Sequence, residues 1–279
     1  MRVAVVTGSN KGVGNGIVEL LAKHLDPKEW HVYLTARNVE AGEEAVKRFR
    51  DQGLEVKFHQ LDITDKDSRH ALVEFIKKEY PNGLDILVNN AGIAYKSNST
   101  APFGEQARVT IATNYTATVE MCLDFLPIMA KGSRLVNIAS IVAQRSFNTL
   151  TEGVALKFLE TSNLQELTDL MNKFIRYAEA GEHQKKGFPN SAYGMSKLGV
   201  WRATELLAAQ YKSDPRHILI NSCCPGYVNT DMSSHRGEKT ILEGADTPFY
   251  LATLPPDATE PYGKFVSDRQ VVAVDARFR

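Results

Sequence analysis

The chain has 279 residues, with 33 basic and 33 acidic side chains, 43% hydrophobic and 24% charged residues. That length and balance supply enough material for a sizeable core and exclude a wholly disordered polypeptide. Zero net charge excludes an overall basic field for nucleic acid or acidic lipid, and no apolar run approaches the roughly 18 residues that cross a bilayer.

Short β-rich runs alternate with longer amphipathic ones. Val3-Ala4-Val5-Val6 is continuously apolar and ends at a glycine-rich turn, as a buried parallel strand does. A helix is predicted over 17–25, with Ile17, Leu20, Leu21 and Leu25 on one face. A second strand follows over 31–35, then a charged helix over 41–50. The third strand, 56–61, stops at Asp62. A helix over 67–79 is closed by Pro81-Asn82-Gly83, and further strands are predicted over 84–88, 135–138, 218–221 and 263–266. This alternation predicts right-handed βαβ units and an α/β fold with a doubly wound, parallel, Rossmann-like sheet.

One stretch breaks the rhythm. Some fifty residues separate the fifth strand from the helix starting near Tyr193, far more than an ordinary βα connection. It carries a helix signal of its own. Ser162-Asn163-Leu164-Gln165 has the form of a capping box, Leu164, Leu167, Met171, Phe174 and Ala178 make an apolar stripe, and Gly181 stands at the C-terminal cap. The expectation is one domain over 1–279, with a helical insertion at about 146–188 before Tyr193.

Thr7-Gly8-Ser9-Asn10-Lys11-Gly12-Val13-Gly14 places glycines between a strand and a helix, where a backbone can turn tightly against a pyrophosphate. A plain βα turn is the bland alternative, which the position at strand one disfavours. The second strand ends Thr35-Ala36-Arg37-Asn38, with arginine where an acid would bind the ribose hydroxyl of NAD. Arg37 can pair with a 2′-phosphate and Lys11 can add a second cation, so NADPH is the expected cofactor. Each cation taken alone reads first as a solvated surface charge; it is the two at these positions, with no competing acid, that favour the phosphorylated cofactor.

Tyr193-Gly194-Met195-Ser196-Lys197 sets a phenol and an ammonium four residues apart, on one face of a helix. A tyrosine titrates near about 10, and a neighbouring ammonium is expected to lower that value and make the pair an acid–base catalyst. The spacing alone is common on amphipathic helices.

The motifs together carry more than each alone. Thr7-Gly8-x-x-x-Gly12-x-Gly14, Asn89-Asn90-Ala91-Gly92, Asn114, Ser140, Tyr193-x-x-x-Lys197 and Pro225-Gly226 stand in the order found in short-chain dehydrogenases/reductases, which the chain resembles over nearly its whole length. Leu34-Thr35-Ala36-Arg37, Met171-Asn172-Lys173-Phe174 and Cys223-Cys224-Pro225-Gly226 make it similar to the NADPH-dependent carbonyl reductases of that family. The resemblance implies that Tyr193 is the proton donor, with Ser140, Lys197 and Asn114 beside it. It implies that Gly8, Asn10, Lys11, Gly12, Val13, Gly14 and Arg37 hold phosphates, and that Asp62, Ile63 and Asn89 line the adenosine end. Val228 and Thr230 would meet the carboxamide end, together with Tyr193 and Lys197. Ser140, Ile141 and Tyr227 would line a pocket for a small-molecule carbonyl substrate. Without the family, Asp62 reads as a turn residue and Asn114 as a helix asparagine satisfied by backbone. Tyr227 departs from the tryptophan of similar reductases, which leaves substrate preference open.

The implied activity is NADPH-dependent reduction of aldehydes, ketones or quinones. The alternatives are a reductase dedicated to one steroid or prostaglandin-like substrate and a non-catalytic NADPH-binding redox regulator. Cys224 reads as a pocket-mouth thiol or as a buried inert cysteine. The cysteines form no disulfide framework, the histidines no metal motif, and the N-terminus no signal sequence. A cytoplasmic enzyme without metal, nucleic-acid or membrane partners is expected. It is expected to be a monomer, because the inserted stripe must cover the helix pair through which related oligomers associate.

Overall fold

A computed structural model of the protein describes residues 1–278. The N-terminal half runs β1 (Arg2–Val6), α1 (Gly12–His24), β2 (Trp30–Ala36), α2 (Val39–Asp51), β3 (Lys57–Gln60), α3 (Lys66–Glu79) and β4 (Leu84–Asn89). A long helical segment follows, α4 (Phe103–Thr110) and α5 (Ala117–Phe125), joined without a break by a π-helical turn at Ile111–Thr116. It leads into β5 (Met129–Ile138). After an insertion come α9 (Ala192–Tyr211), β6 (Leu219–Cys224), α10 (Ile241–Ala252), β7 (Phe265–Ser267) and β8 (Gln270–Val271).

The strands form one sheet in the order β3-β2-β1-β4-β5-β6-β7-β8. Both faces are covered, and β1 shows why its sequence had to be uniformly apolar. Val3 and Val5 enter a cluster with Leu72 and Ile76 of α3, Met121 and Phe125 of α5 and Leu207 of α9. Ala4 and Val6 point the other way, against Ile17 and Leu21 of α1, Phe49 of α2 and Leu251 of α10. A parallel strand buried on both faces has no polar side to alternate with.

Seven strands are parallel as expected, but β8 runs antiparallel to β7. The connection is Asp268-Arg269, both residues with positive φ (48° and 59°). A two-residue hairpin turn normally announces itself through glycine, asparagine or aspartate at such positions, and here Asp268 fits while Arg269 stands where glycine is usual. β5 also begins earlier than predicted, at Met129, because its pairing with β4 is irregular between Leu84 and Ile86.

The insertion holds three helices where the sequence signalled one: α6 (Val142–Thr149), α7 (Glu152–Glu160) and α8 (Leu164–Glu179). The cap of α8 lies one residue beyond the expected box. Asn163 accepts from the amide of Glu166 at 3.0 Å, while the Glu166 carboxylate accepts from the amide of Ser162 at 2.7 Å. The reciprocal logic of a capping box is kept, with Glu166 in place of Gln165. Gly181 follows the helix with φ of 70°, as expected of its cap. Leu167, Met171, Phe174 and Ala178 are buried, in one apolar cluster with Ala107 of α4, Ile111 and Tyr115 of the π turn and Leu198 of α9. The stripe therefore covers the α4 and α9 surfaces.

Candidate active site

The C-terminal ends of β1, β4, β5 and β6 and the loops after them converge beside the first turn of α9. The turn after β1 depends on Gly8, whose φ is 57° and whose side chain, if it had one, would press on Ala91 at 2.8 Å. Asn90 secures this turn from the next strand. Its Nδ2 donates to the carbonyls of Thr7 and Gly8, both at 3.1 Å, and its amide donates to Thr7 Oγ1 at 3.0 Å. The N-cap of α1, Lys11, makes no side-chain cap bond, so the first amides of that helix face the turn without a side-chain acceptor.

Arg37 is exposed directly after β2 and has no ion-pair partner among the described residues. Lys11 pairs with Asp231, whose Oδ2 it meets at 2.9 Å. That bridge crosses from the glycine loop to the loop after β6. Lys96, from the loop after β4, donates to the Asp231 carbonyl from another side. Thr230 comes against the glycine loop at Gly12, and Val228 is buried beneath it. A groove flanked by a glycine turn, a helix N-terminus and two cations suits a phosphorylated dinucleotide, so the residues present fit NADPH.

The adenosine-end candidates divide. Asp62 Oδ1 accepts from the Thr64 amide at 2.9 Å and hydroxyl at 2.7 Å, which is turn chemistry. The Ile63 side chain is buried, and its carbonyl accepts from Arg69 at 2.9 Å. Asn89 is the exception: its carboxamide points into the sheet. Nδ2 donates to Asn137 Oδ1 at 2.9 Å, and the side chain is sealed with Cys122 beside it. Its neighbour Asn90 does the work at the groove.

At the other end, Ser140 stands two residues past β5, and Tyr193 and Lys197 lie in the first turns of α9, capped by Ser191, whose Oγ accepts from the Gly194 amide at 2.9 Å. Tyr193 is partly buried and its phenol lies beside Ser140. Lys197 is 5% exposed, its Nζ 2.8 Å from the Ile138 carbonyl and 5.7 Å from the centre of the Tyr193 ring. Burial lowers the Lys197 ammonium to about 8, against opposition from Cys223 and Cys224. The expected lowering of Tyr193 is not found. Burial, with Cys224 adding to it, pushes the phenol up to about 12, and Ser140 offsets only part of this. Desolvation sets the direction.

Asn114 sits in the π turn with its carboxamide fully engaged. Oδ1 accepts from the Ile93 amide at 2.8 Å, and Nδ2 donates to the Ile93 carbonyl at 2.8 Å and to Ser196 Oγ at 3.0 Å. Ser196 in turn donates to the Tyr193 carbonyl at 2.7 Å. A side chain on Gly92 would come within 3.1 Å of Asn114 Oδ1 and 3.6 Å of Lys197 Nζ, so this glycine keeps the space between the two open. Tyr227 is 55% exposed and Ile141 partly so. Cys224 is buried, and its sulfur accepts from the amides of Ile141 and Gly226, each at 3.2 Å.

The structure thus brings together Ser140, Tyr193, Lys197 and Asn114, and sets Thr230 against the glycine loop, with Arg37 exposed at the end of β2. Sequence reasoning missed three residues. Ser196 and Asn90 lay inside quoted motifs without an assigned role. Asp231 had no local signal, because its partner Lys11 is 220 positions away.

The sequence pattern of the short chain dehydrogenase family matches residues 2–167 and 179–240. Carbonyl reductase 3 (NADPH) of Mus musculus is 46% identical over 273 residues, covering 97% of each chain. Carbonyl reductase 1 (NADPH) of Homo sapiens is 46% identical over 276 residues, covering 97% of this chain and 98% of that one. Among solved structures, salutaridine reductase from Papaver somniferum superposes with a TM-score of 0.84 at 28% identity, covering 96% of this chain and all of its own. Menthone neomenthol reductase from Mentha piperita gives 0.78 at 28% identity, covering 95% and 98%.

Burying Lys197 as a cation opposes folding. Its folded value of about 8 lies below the ordinary 10.5, so the unfolded chain binds the extra proton between those limits and wild-type stability rises with pH across them. Lys197→Met should therefore melt no lower than wild type at pH 7, and its relative advantage should shrink as pH rises from about 8 to 10.5. Thermal unfolding of the two proteins across that range checks this; a mutant markedly less stable at pH 7 would contradict it.

Proposed function

This chain belongs to the short-chain dehydrogenase family, and from that premise we propose how its own residues carry out NADPH-dependent reduction of a carbonyl compound. The supporting observation is the convergence of Ser140, Tyr193 and Lys197 at the C-terminal end of the sheet, with Arg37 exposed after β2 and in no ion pair among the described residues. Lys11, Arg37, the glycine loop and Thr230 would hold the cofactor, which when bound supplies the hydride to the carbonyl carbon.

Ser140 donates a hydrogen bond to the substrate oxygen and holds it beside the phenol. Tyr193 gives its proton to that oxygen as negative charge develops there. The raised phenol value suits this direction, since Tyr193 is protonated at neutral pH and an alkoxide is the stronger base. The Lys197 ammonium then faces the phenolate left behind. Asn114, locked to Ile93 and Ser196, fixes the backbone of the Tyr193 turn and opens onto Lys197 past Gly92. Ile141 and Tyr227 form a partly apolar mouth, consistent with aldehydes, ketones or quinones.

The protein is read as one reductase domain working as a monomer in the cytoplasm. Two coverings support the monomer: α8 lies over α4 and α9, and β8 pairs with the edge of β7. No described helix is long and apolar enough to cross a membrane, and the three cysteines are free.

Tyr193→Phe should lower carbonyl turnover about 100-fold or more while NADPH still binds, because only the transferable proton is lost. Comparable turnover on a panel of quinones and aryl ketones would refute the assignment. Replacing Lys11 by Met and Arg37 by Gln together should weaken NADPH about 10- to 100-fold and leave NADH nearly unchanged; equal losses would remove the case for phosphate recognition. Light scattering at micromolar concentration should report one chain mass of 31.0 kDa, and a stable dimer would defeat the covering argument.

A further inference from the structure

Ser140 and Ile141 lead directly into α6, so the placing of α6 determines where the serine hydroxyl points. α6 is eight residues long and has no side-chain N-cap. So short a helix has little stability of its own and depends on its neighbours. One neighbour is α9. Phe147 of α6, fully buried, meets Trp201 edge-on with ring centres 6.0 Å apart. A side chain on Gly194 would overlap Ser146 Oγ, so the helices touch one residue from Tyr193.

The segment after β8 holds α6 as well. Gln144 donates to the Ala273 carbonyl at 2.8 Å, and Val274 is 1% exposed in the same apolar cluster as Phe147. Arg277 donates from one guanidinium nitrogen to the carbonyls of Asn148 and Leu150, both at 3.0 Å. These lie at the end of α6, where unpaired carbonyls gather the negative end of the helix dipole. The same guanidinium is 4.9 Å from the ring centres of both Phe147 and Phe278, and Phe278 meets Phe147 edge-on at 5.8 Å. Phe147 is thus gripped between Trp201 and the Arg277–Phe278 pair.

We propose that residues 272–278 form a strap that positions α6, with Arg277 its positioning residue, and thereby sets Ser140 and Ile141 against Tyr193 for the carbonyl substrate. The proposal rests on the reading of Ser140 as the group that holds the substrate oxygen. The strap's hydrogen bonds to Gln144, Asn148, Leu150 and Phe265 lie on α6, its C-terminal end and β7, at the substrate end of the molecule. Its loss should reach substrate parameters and leave cofactor affinity alone.

The test uses the full chain with Arg277→Ala, Ser140→Ala and the double variant, measuring carbonyl kcat/KM and NADPH Kd. Arg277→Ala should lower kcat/KM about tenfold with NADPH Kd within about twofold, because small displacements of a substrate-holding group are costly. In the Ser140→Ala background the same change should cost less than about twofold, since the hydroxyl it positions is already gone. Arg277→Lys keeps the charge but not the planar stack, and should lose about threefold; it serves the same comparison if the alanine variant fails to fold. Wild-type kcat/KM in the Arg277 variants alongside a damaged Ser140→Ala would overturn the strap alone. So would equal losses in both backgrounds, or a parallel fall in NADPH affinity. An undamaged Ser140→Ala would overturn the role of Ser140, and the strap with it.

Discussion

A lysine ammonium buried to 5% exposure and held by a single backbone carbonyl is the constraint around which this molecule is organised. Taking such a charge out of water is expensive unless its surroundings are rigid and otherwise satisfied. The surroundings here are α9 and everything packed on it. Its buried residues include Met195, Leu198, Val200, Trp201, Ala203 and Leu207, on all sides of the helix. β5 and β6 lie beneath it, α6 and α8 beside it. Apolar burial on that scale offsets one desolvated ammonium and holds it where a phenol can use it.

The two ends of the groove belong to different parts of the chain, and polar side chains join them. Asn90 carries the register of β4 into the glycine turn. Asn114 carries the loop at Ile93 into the turn that presents Tyr193, through Ser196. Asn90 spends its amide nitrogen on two backbone carbonyls, and Asn114 its whole carboxamide on backbone and hydroxyl partners. A change of cofactor geometry at one end therefore has a short, stiff route to the acid at the other. The crevice falls where strand order reverses between β1 and β4, the usual ligand position in a doubly wound sheet.

What was legible in the sequence was whatever is local. Val3-Ala4-Val5-Val6 announced a strand buried on both faces, Gly8 a turn needing positive φ, and the stripe from Leu167 to Ala178 a helix with one covered face. Features that depend on distant partners were not. The sign of the Tyr193 shift came from how completely α9 is enclosed, which a four-residue spacing cannot report. The inward turn of Asn89 depends on Asn137 and Cys122 in other elements. The π turn at Asn114 has no residue pattern that sets it apart from α-helix. α6 and α7 escaped notice because they are too short to show a full period, and the Asp268-Arg269 hairpin because arginine stands where its second position usually has glycine.

The sheet ends differently on its two sides, and this bears on how the protein behaves when crowded with copies of itself. On one side the margin is β3, four residues that begin with Lys57. On the other, β8 offers only Gln270 and Val271 before the chain leaves to follow α6. An open strand recruits another chain through its unpaired amides and carbonyls, and the danger grows with the length and apolarity of that margin. A short charged border on one side and a two-residue border on the other leave little template for cross-β growth. The apolar strands most suited to amyloid, β1 and β4, both lie inside the sheet, at least two strands from either margin. Aggregation by strand addition is thus resisted by topology, before any surface charge is counted.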